Sequence, residues 1–416
     1  MDKESIPYVR IGMQLYKKMW LYDSRGNRYK TIKLWNDETT KRELRKRGMS
    51  KNEIEQYLED IPLYEHHAYV PSHINYEQIV GTQYNLYQEL EFESQKGDFH
   101  ITKKFLRHIF GLQTEIFLDY IQLLYLKPLQ ILPILILVSK ERQTGKTTFF
   151  NWLKLLFSSN MLLLEADNLK SRFNSELEGK LIAAIEDTDS LHSHTIMDKI
   201  KNYSTAISYQ SESKGYNRIE TSLFVKFLIA SNNEENLLKL ESEEIRFWIV
   251  KVNTIKEHDR DPNILECLKH EIPAFLYFLT DRNLFTPKPQ SRMWFDPKTL
   301  RTTALELMIK NSVDKIEFEL AILLYEIMDS NGLDSLDLCP IDAIELLKEA
   351  RINVDTSKIR NILKKQWNLS NKGNSFNYQK ASISSSREFK FNISKGKFYT
   401  VPKNFLLEKF GDLMMI

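Results

Sequence analysis

The chain has 416 residues, of which 42% are hydrophobic and 27% charged, and a formal net charge of +2. That length admits two or three domains, each with its own core, and the balance is that of a soluble globular protein. The longest apolar run, residues 131–138, is far too short to cross a bilayer, the first residues form no signal-peptide core, and Cys267 and Cys339 stand far apart outside any C-x-x-C pair. A cytoplasmic, reduced setting with no membrane contact and no zinc site is expected.

Residues 1–95 read as an α+β region. A turn over residues 23–27 precedes a strand at Lys30–Trp35, a charged surface helix is expected over Lys41–Asp60, and a Tyr-rich, Pro-containing passage follows from Tyr64 to Tyr87. His66, His67 and His73 lie in that passage without a cysteine or acid at metal spacing and read as loop histidines. No D-x-D strand of the kind that primase chemistry needs is present, so a primase activity is expected on a separate chain.

From Phe99 to Leu126 apolar residues recur at helical spacing and predict a helix pair leading into a buried strand at 131–138. Helices then alternate with apolar strands at Met161–Leu164, Leu181–Ile185, Phe224–Ala230 and Phe247–Val252, the pattern of a parallel α/β core. This core is expected to span 96–285, ending near a linker at Pro287 and Pro289. The remainder, 300–416, begins with helices at Leu305–Leu324, continues with helices near Ile341–Lys348 and Thr356–Lys365, and ends in strands at Phe389–Ile393 and Lys397–Val401. That order resembles a winged helix-turn-helix. Between Arg351 and Ile416 thirteen Lys/Arg face four Asp/Glu, interleaved with aromatic residues, a composition that suits a nucleic-acid surface.

The most informative stretch runs from Ile134 to Thr148. An apolar strand is followed by Ser139-Lys140-Glu141-Arg142-Gln143-Thr144-Gly145-Lys146-Thr147-Thr148. Backbone N–H groups of Gln143, Thr144, Gly145, Lys146, Thr147 and Thr148 would turn toward a phosphate at a helix N-terminus. Lys146 would reach the β- and γ-phosphates, and the Thr147 hydroxyl would ligate Mg²⁺. The full pattern wants glycine at position 140, where this chain has lysine; a side chain there is expected to crowd the phosphate path and lower nucleotide affinity.

Further along, the strand ending in Glu186-Asp187 delivers two carboxylates, one for the metal and one to orient or deprotonate water; their division of labour is open. The next strand ends in Ser231-Asn232-Asn233, where an amide would position water without adding charge. Arg246 precedes the last strand and is placed to act as an arginine finger toward a neighbouring subunit.

This succession of strand–Gly-Lys-Thr, strand–Glu-Asp, strand–Ser-Asn and Arg-Phe-Trp resembles the superfamily 3 helicases, in particular the primase-associated helicases of bacterial mobile elements and phages. The resemblance covers roughly residues 95–255. It implies a P-loop, AAA+-like ATPase core that uses ATP and Mg²⁺, assembles as a homo-oligomeric ring of six, and moves along single-stranded DNA. It also implies a pore hairpin, which falls here on Ser213-Lys214-Gly215-Tyr216-Asn217: a glycine for the turn, Lys214 for charge and Tyr216 for stacking, with Arg218 a weaker phosphate contact. The metal would be held by Thr147, Glu186 and Asp187. Residues 1–95 would serve oligomerisation or partner docking, and the C-terminal domain would hold duplex DNA. Two other readings stay open: a replication initiator that uses ATP only as an assembly switch, favoured by Lys140, and a small-molecule P-loop kinase.

Overall fold

The computed structural model describes residues 6–22, 26, 28–171, 174–186, 194–212, 219–235, 237–238, 240, 244–257, 260–287, 291–312, 314–383 and 389–414. The chain divides into two compact units, residues 1–238 with 245–306, and residues 239–244 with 307–416.

The first unit opens with β1 (Tyr8–Ile11), β2 (Gln14–Tyr22) and β3 (Arg28–Trp35), then α1 (Asp37–Lys46), α2 (Lys51–Glu59) and β4 (Leu63–Tyr64). The sheet runs β3-β2-β1-β4, antiparallel except for the parallel β1–β4 pair. The single helix expected over 41–60 is two helices. Gly48 at φ +87° ends the first, and Ser50 starts the second through a capping box with Glu53. A small sheet of β5 (His66–Ala68), β6 (Ile79–Val80) and β7 (Gln83–Asn85) follows, in the order β5-β7-β6. The buried Asn85 side chain accepts from Val70 N at 3.0 Å and donates to the Val70 and Glu77 carbonyls, also at 3.0 Å.

His73 is more than a loop residue. Its Nδ1 donates to the Tyr125 carbonyl and its Nε2 accepts from the Tyr87 hydroxyl, each at 2.7 Å, and its ring lies stacked on Tyr125 at 5.6 Å. The carbonyl requires a proton on Nδ1, and in the neutral ring that burial favours, Nε2 is the acceptor.

The helix pair is α3 (His100–Phe110) and α4 (Thr114–Leu126). Glu271 accepts from Ile101 N at 3.1 Å and Thr102 N at 2.6 Å, which satisfies the free amides at the start of α3. Phe110 stacks on Phe117 at 4.0 Å, and Phe149, Tyr120 and the fully buried Trp248 complete an aromatic core. The buried Asp119 on α4 accepts from Arg282, Phe285 N and Thr286 N, and so fixes the segment that leaves the core.

Behind these helices stands the central sheet: β8 (Ile134–Val138), α5 (Lys146–Phe157), β9 (Met161–Leu164), β10 (Ile182–Ile185), α6 (His194–Thr205), β11 (Ser208–Ser211), β12 (Ile219–Ser222), β13 (Lys226–Ser231) and β14 (Phe247–Lys251). Five of these strands are parallel in the order β14-β8-β13-β10-β9. Every residue of β8, β10 and β13 is buried; β8 and β10 read as unbroken apolar runs and β13 as one between Lys226 and Ser231, as in a sheet covered on both faces. α7 (Ile264–His270) and α8 (Ile272–Asp281) are separated at Glu271, and α9 (Thr303–Ser312) carries the chain into the second unit. Among the described residues no helix is long and apolar enough to cross a membrane.

The second unit contains α10 (Lys315–Ser330), β15 (Ser335–Leu338), α11 (Pro340–Glu349), α12 (Thr356–Asn361), β16 (Phe376–Ile383), β17 (Phe389–Gly396), β18 (Tyr399–Pro402) and α13 (Lys403–Met414), with a π-helical turn at Ile362–Gln366. The two strands expected near the C-terminus do not pair with each other: β17 pairs with β16, and β18 pairs with β15. Leu320, Leu324, Leu346, Ile359, Leu363 and Trp367 form its core.

Burial lowers the His73 pKa to about 4, despite the opposing hydrogen bond to Tyr125. The unfolded chain then binds a proton from pH 6.5 downward that the folded chain refuses until about pH 4. This contribution is complete above pH 6.5 and is lost as the pH falls toward 4. Urea titrations at pH 7 and pH 4.5 should show the wild type losing up to about 2.5 kcal/mol more than His73→Phe over that interval. Equal losses would remove the assignment.

Candidate functional site

The loop between β8 and α5 is set by two left-handed residues, Gln143 at φ +59° and Gly145 at φ +92°. Only the second requires glycine on space as well: a Cβ there would stand 3.3 Å from Ile109 Cδ1 and 3.4 Å from a Phe105 ring carbon. Tertiary bonds hold the loop from three sides. His108 Nε2 donates to the Thr144 carbonyl at 3.0 Å, Ile255 N to the Gln143 carbonyl at 3.3 Å, and Ser139 Oγ to the Glu141 carbonyl at 2.9 Å. No side chain caps the start of α5, so its first amides remain available to an anion.

Lys146, 8% exposed, donates to Ser139 Oγ and, at 3.1 Å, to Asn232 Oδ1. Burial lowers its pKa, with Glu234, Glu141 and Glu186 pulling the other way from a distance. Among the described residues no carboxylate touches its ammonium. The register explains the meeting: Ser231 lies beside Val138 and Ile185 beside Ile229, so Ser139, Asn232 and Glu186 all leave the sheet at its carboxyl edge. Glu186 and Thr147 are exposed there, and Thr148 is half-buried. Asp187 lies outside the described residues.

This edge is also where the chain order reverses. From β8 the chain runs to β9 at one side and returns through β10 and β13 to β14 on the other. Ligands of open parallel sheets bind at such a switch point.

Arg246 is not at this edge. Its carbonyl accepts from Ile134 N at 2.8 Å, which fixes it at the amino end of β14. A strand length, about 16 Å, separates it from the β8–α5 loop of its own chain. Lys214, Tyr216 and Arg218 lie outside the described residues; the strands on either side, β11 and β12, pair antiparallel from Ser208↔Ser222 to Ser211↔Ile219. The far end of this ladder is anchored by Asn174, whose side chain donates to the Gln210 carbonyl at 3.1 Å and accepts from Glu212 N at 2.9 Å.

Position 140 has a local explanation. Lys140 is not among the residues with positive φ, and its side chain is exposed and paired with Glu235. Its backbone N–H donates to Glu234 Oε1 at 2.7 Å, and Glu234 Oε2 accepts from Lys251 Nζ at 2.9 Å. Burial pushes the Glu234 carboxyl up, but its bonds to Lys251 and Lys140 outweigh that and hold it below the ordinary carboxylate range. Glu234 thus ties together the ends of β8, β13 and β14. Ser139, His108 and Glu234 are members of the site that sequence reasoning missed. Glu234 and Lys251 had one usable signal, opposite charges just beyond two apolar strands.

A family model matches residues 137–246: a family of unknown function, DUF5906. No curated protein matches the chain. Among solved structures, the apo form of the NrS-1 C-terminal region, its residues 305–718, is similar at 13% identity and a TM-score of 0.61, over 92% of this chain and 95% of that one. Two A-form apo structures of the same region give TM-scores of 0.60 and 0.59 at 13% and 14% identity, over 92% and 93% of this chain and 96% and 94% of theirs. At such identity what is shared is the fold.

Because the Lys140 side chain makes only an exposed ion pair, Lys140→Gly should leave nucleotide affinity within about fivefold of wild type, measured by titration with a fluorescent ATP analogue. A gain of two orders of magnitude would show that the side chain does obstruct the loop.

Proposed function

We propose that the protein is an ATP-dependent DNA helicase or translocase of the superfamily 3 kind, working in replication as a ring of six. One observation carries this reading: the buried Lys146 ammonium is held between Ser139 and Asn232, with no carboxylate in contact among the described residues. Such a cation is prepared for a polyanionic ligand. The strand order supports it, since β13 separates β8 from β10 and so sets Asn232 between Lys146 and Glu186.

The uncapped start of α5, the left-handed Gly145 and the buried Lys146 fit a triphosphate; Thr147 and Glu186, with Asp187, would hold Mg²⁺. ATP with Mg²⁺ supplies the phosphoanhydride whose cleavage drives the motor. Lys146 stabilises charge on the terminal phosphate, Asn232 orients water without adding charge, and Glu186 or Asp187 takes the proton from that water. Arg246, at the far edge of its own sheet, acts on the neighbour's nucleotide. The segment between β11 and β12, with Lys214, Tyr216 and Arg218, contacts single-stranded DNA from a braced base. In the second unit, α11, α12 and the β16–β17 hairpin form a winged helix-turn-helix that holds duplex DNA through phosphate contacts. A primase or other replication protein on a separate chain is the expected partner. The assembly-switch reading rested on Lys140, whose exposed side chain gives it no support.

ATP turnover, measured with and without single-stranded DNA, should be stimulated by DNA and fall by at least about 100-fold in Lys146→Ala. Arg246→Ala should lose turnover while still binding ATP, and mixing the two inactive variants should restore part of the rate. Intact turnover in Lys146→Ala would end the proposal, and mixtures as inactive as their components would end the shared-site arrangement.

A further inference from the structure

The second unit contains a cavity of ≈ 580 Å³ lined by Pro340, Arg360, Lys364, Asn368, Leu369, Ser370, Asn371, Lys397 and Tyr399. Its charged lining is entirely cationic. Arg360, Lys364 and Lys397 are exposed, and none has an ion-pair partner among the described residues. Four other cations of this unit are paired: Lys380 with Asp342 and Glu345, Lys358 with Asp314, Lys403 with Asp329 and Lys409 with Glu317. Three unpaired cations thus meet around one concavity that has no acidic residue in its lining.

Two further observations concern the same place. Tyr399, only 5% exposed, lines the cavity, and its hydroxyl has no hydrogen-bond partner among the described residues, so it is open to a ligand. The backbone is also irregular here: Lys364 sits on the π-helical turn Ile362–Gln366, and Asn368 has φ +50°. A π-turn in place of a regular helix end and a left-handed non-glycine residue are both unfavourable by themselves and concentrate at binding sites. Lys364, Asn368, Ser370 and Asn371 thus line the cavity together with Lys397.

We infer that this cavity is a binding site for single-stranded DNA, with Arg360, Lys364 and Lys397 on consecutive phosphodiesters and one unstacked nucleotide inside against Tyr399. The concave shape selects the single strand. A duplex keeps its bases stacked and offers phosphates on a convex ridge, whereas a single strand can turn one base out into a pocket that side-chain amides can read. This site uses no ATP chemistry and is separate from the segment between β11 and β12.

The test uses the full-length protein carrying Lys146→Ala, without ATP, so that failure of the nucleotide reading does not affect the outcome. Anisotropy titrations of a thymidine oligonucleotide of about 15 nucleotides are run at several salt concentrations. Combining Lys364→Ala with Lys397→Ala should weaken binding and flatten the log–log salt slope by roughly 0.7 per contact removed. Tyr399→Phe removes only the hydroxyl and should weaken binding by about threefold to tenfold with an unchanged melting curve. Oligonucleotides with a 5′-phosphate and a 5′-hydroxyl should bind alike, because the contacts are to internal phosphodiesters. The inference is overturned if the lysine variant keeps both affinity and slope, if Tyr399→Phe binds as tightly as its parent, if duplex binding falls as much as single-strand binding, or if the 5′-phosphate is required.

Discussion

The ammonium of Lys146 is buried against two neutral oxygens, and much of the first unit serves to make that tolerable. A buried cation without an anion carries a desolvation cost that a hydroxyl and an amide repay only in part. A carboxylate in contact would be more comfortable but would compete with phosphate for the same charge. Keeping the partners neutral requires that β8 and β13 be adjacent and in a fixed register, because a slip of one residue would turn either Ser139 or Asn232 to the other face. The left-handed Gly145 then lets the chain turn from the loop into α5 at the right height, and His108 and Ile255 hold the loop from outside.

The N-terminal residues reach the central sheet through polar pairs: Asn160, just before β9, exchanges two hydrogen bonds with the Gln88 backbone, at 2.7 and 3.0 Å, and Tyr69 donates to Glu178 at 3.3 Å. His73 joins the same region to α4 through Tyr125. The N-terminal residues are thus attached to the central sheet by specific polar pairs as well as by apolar packing, and belong to one unit with it.

The parallel strands were legible because burial on both faces writes them as runs of Ile, Leu, Val, Ala and Phe, and the strand–turn–helix at 134–157 could be read from Gly145 and the apolar spacing after it. Strands β1 and β2 went unseen. Their residues, such as Gln14-Leu15-Tyr16-Lys17-Lys18, mix charge with apolar groups because one side of that sheet is largely open to solvent. Pairing at the C-terminus was not legible for a different reason. β17 and β18 are close in sequence, but each finds its partner upstream, a choice made by the tertiary core rather than by local composition. The same holds at the site: Gly145, Lys146, Thr147 and Asn232 announce themselves by motif, whereas Ser139, His108 and Glu234 have no pattern until strands distant in sequence are laid side by side. Whether His73 is an idle loop residue or a buried brace was likewise undecidable before Tyr87 and Tyr125 were brought to it.

Glu234 has one more implication. Its carboxylate takes the first amide of the loop, that of Lys140, and so performs with a side chain from another strand the anchoring of the loop's entrance. With the backbone at 140 in an ordinary conformation and its side chain in water, nothing steric restricts what residue stands there. The identity of position 140 is thereby uncoupled from the loop's shape. A search pattern that insists on the leading glycine screens for a solution to a problem this protein solves elsewhere, and chains that carry an acid two residues after the strand-tip asparagine can drift freely at that position while keeping the loop intact.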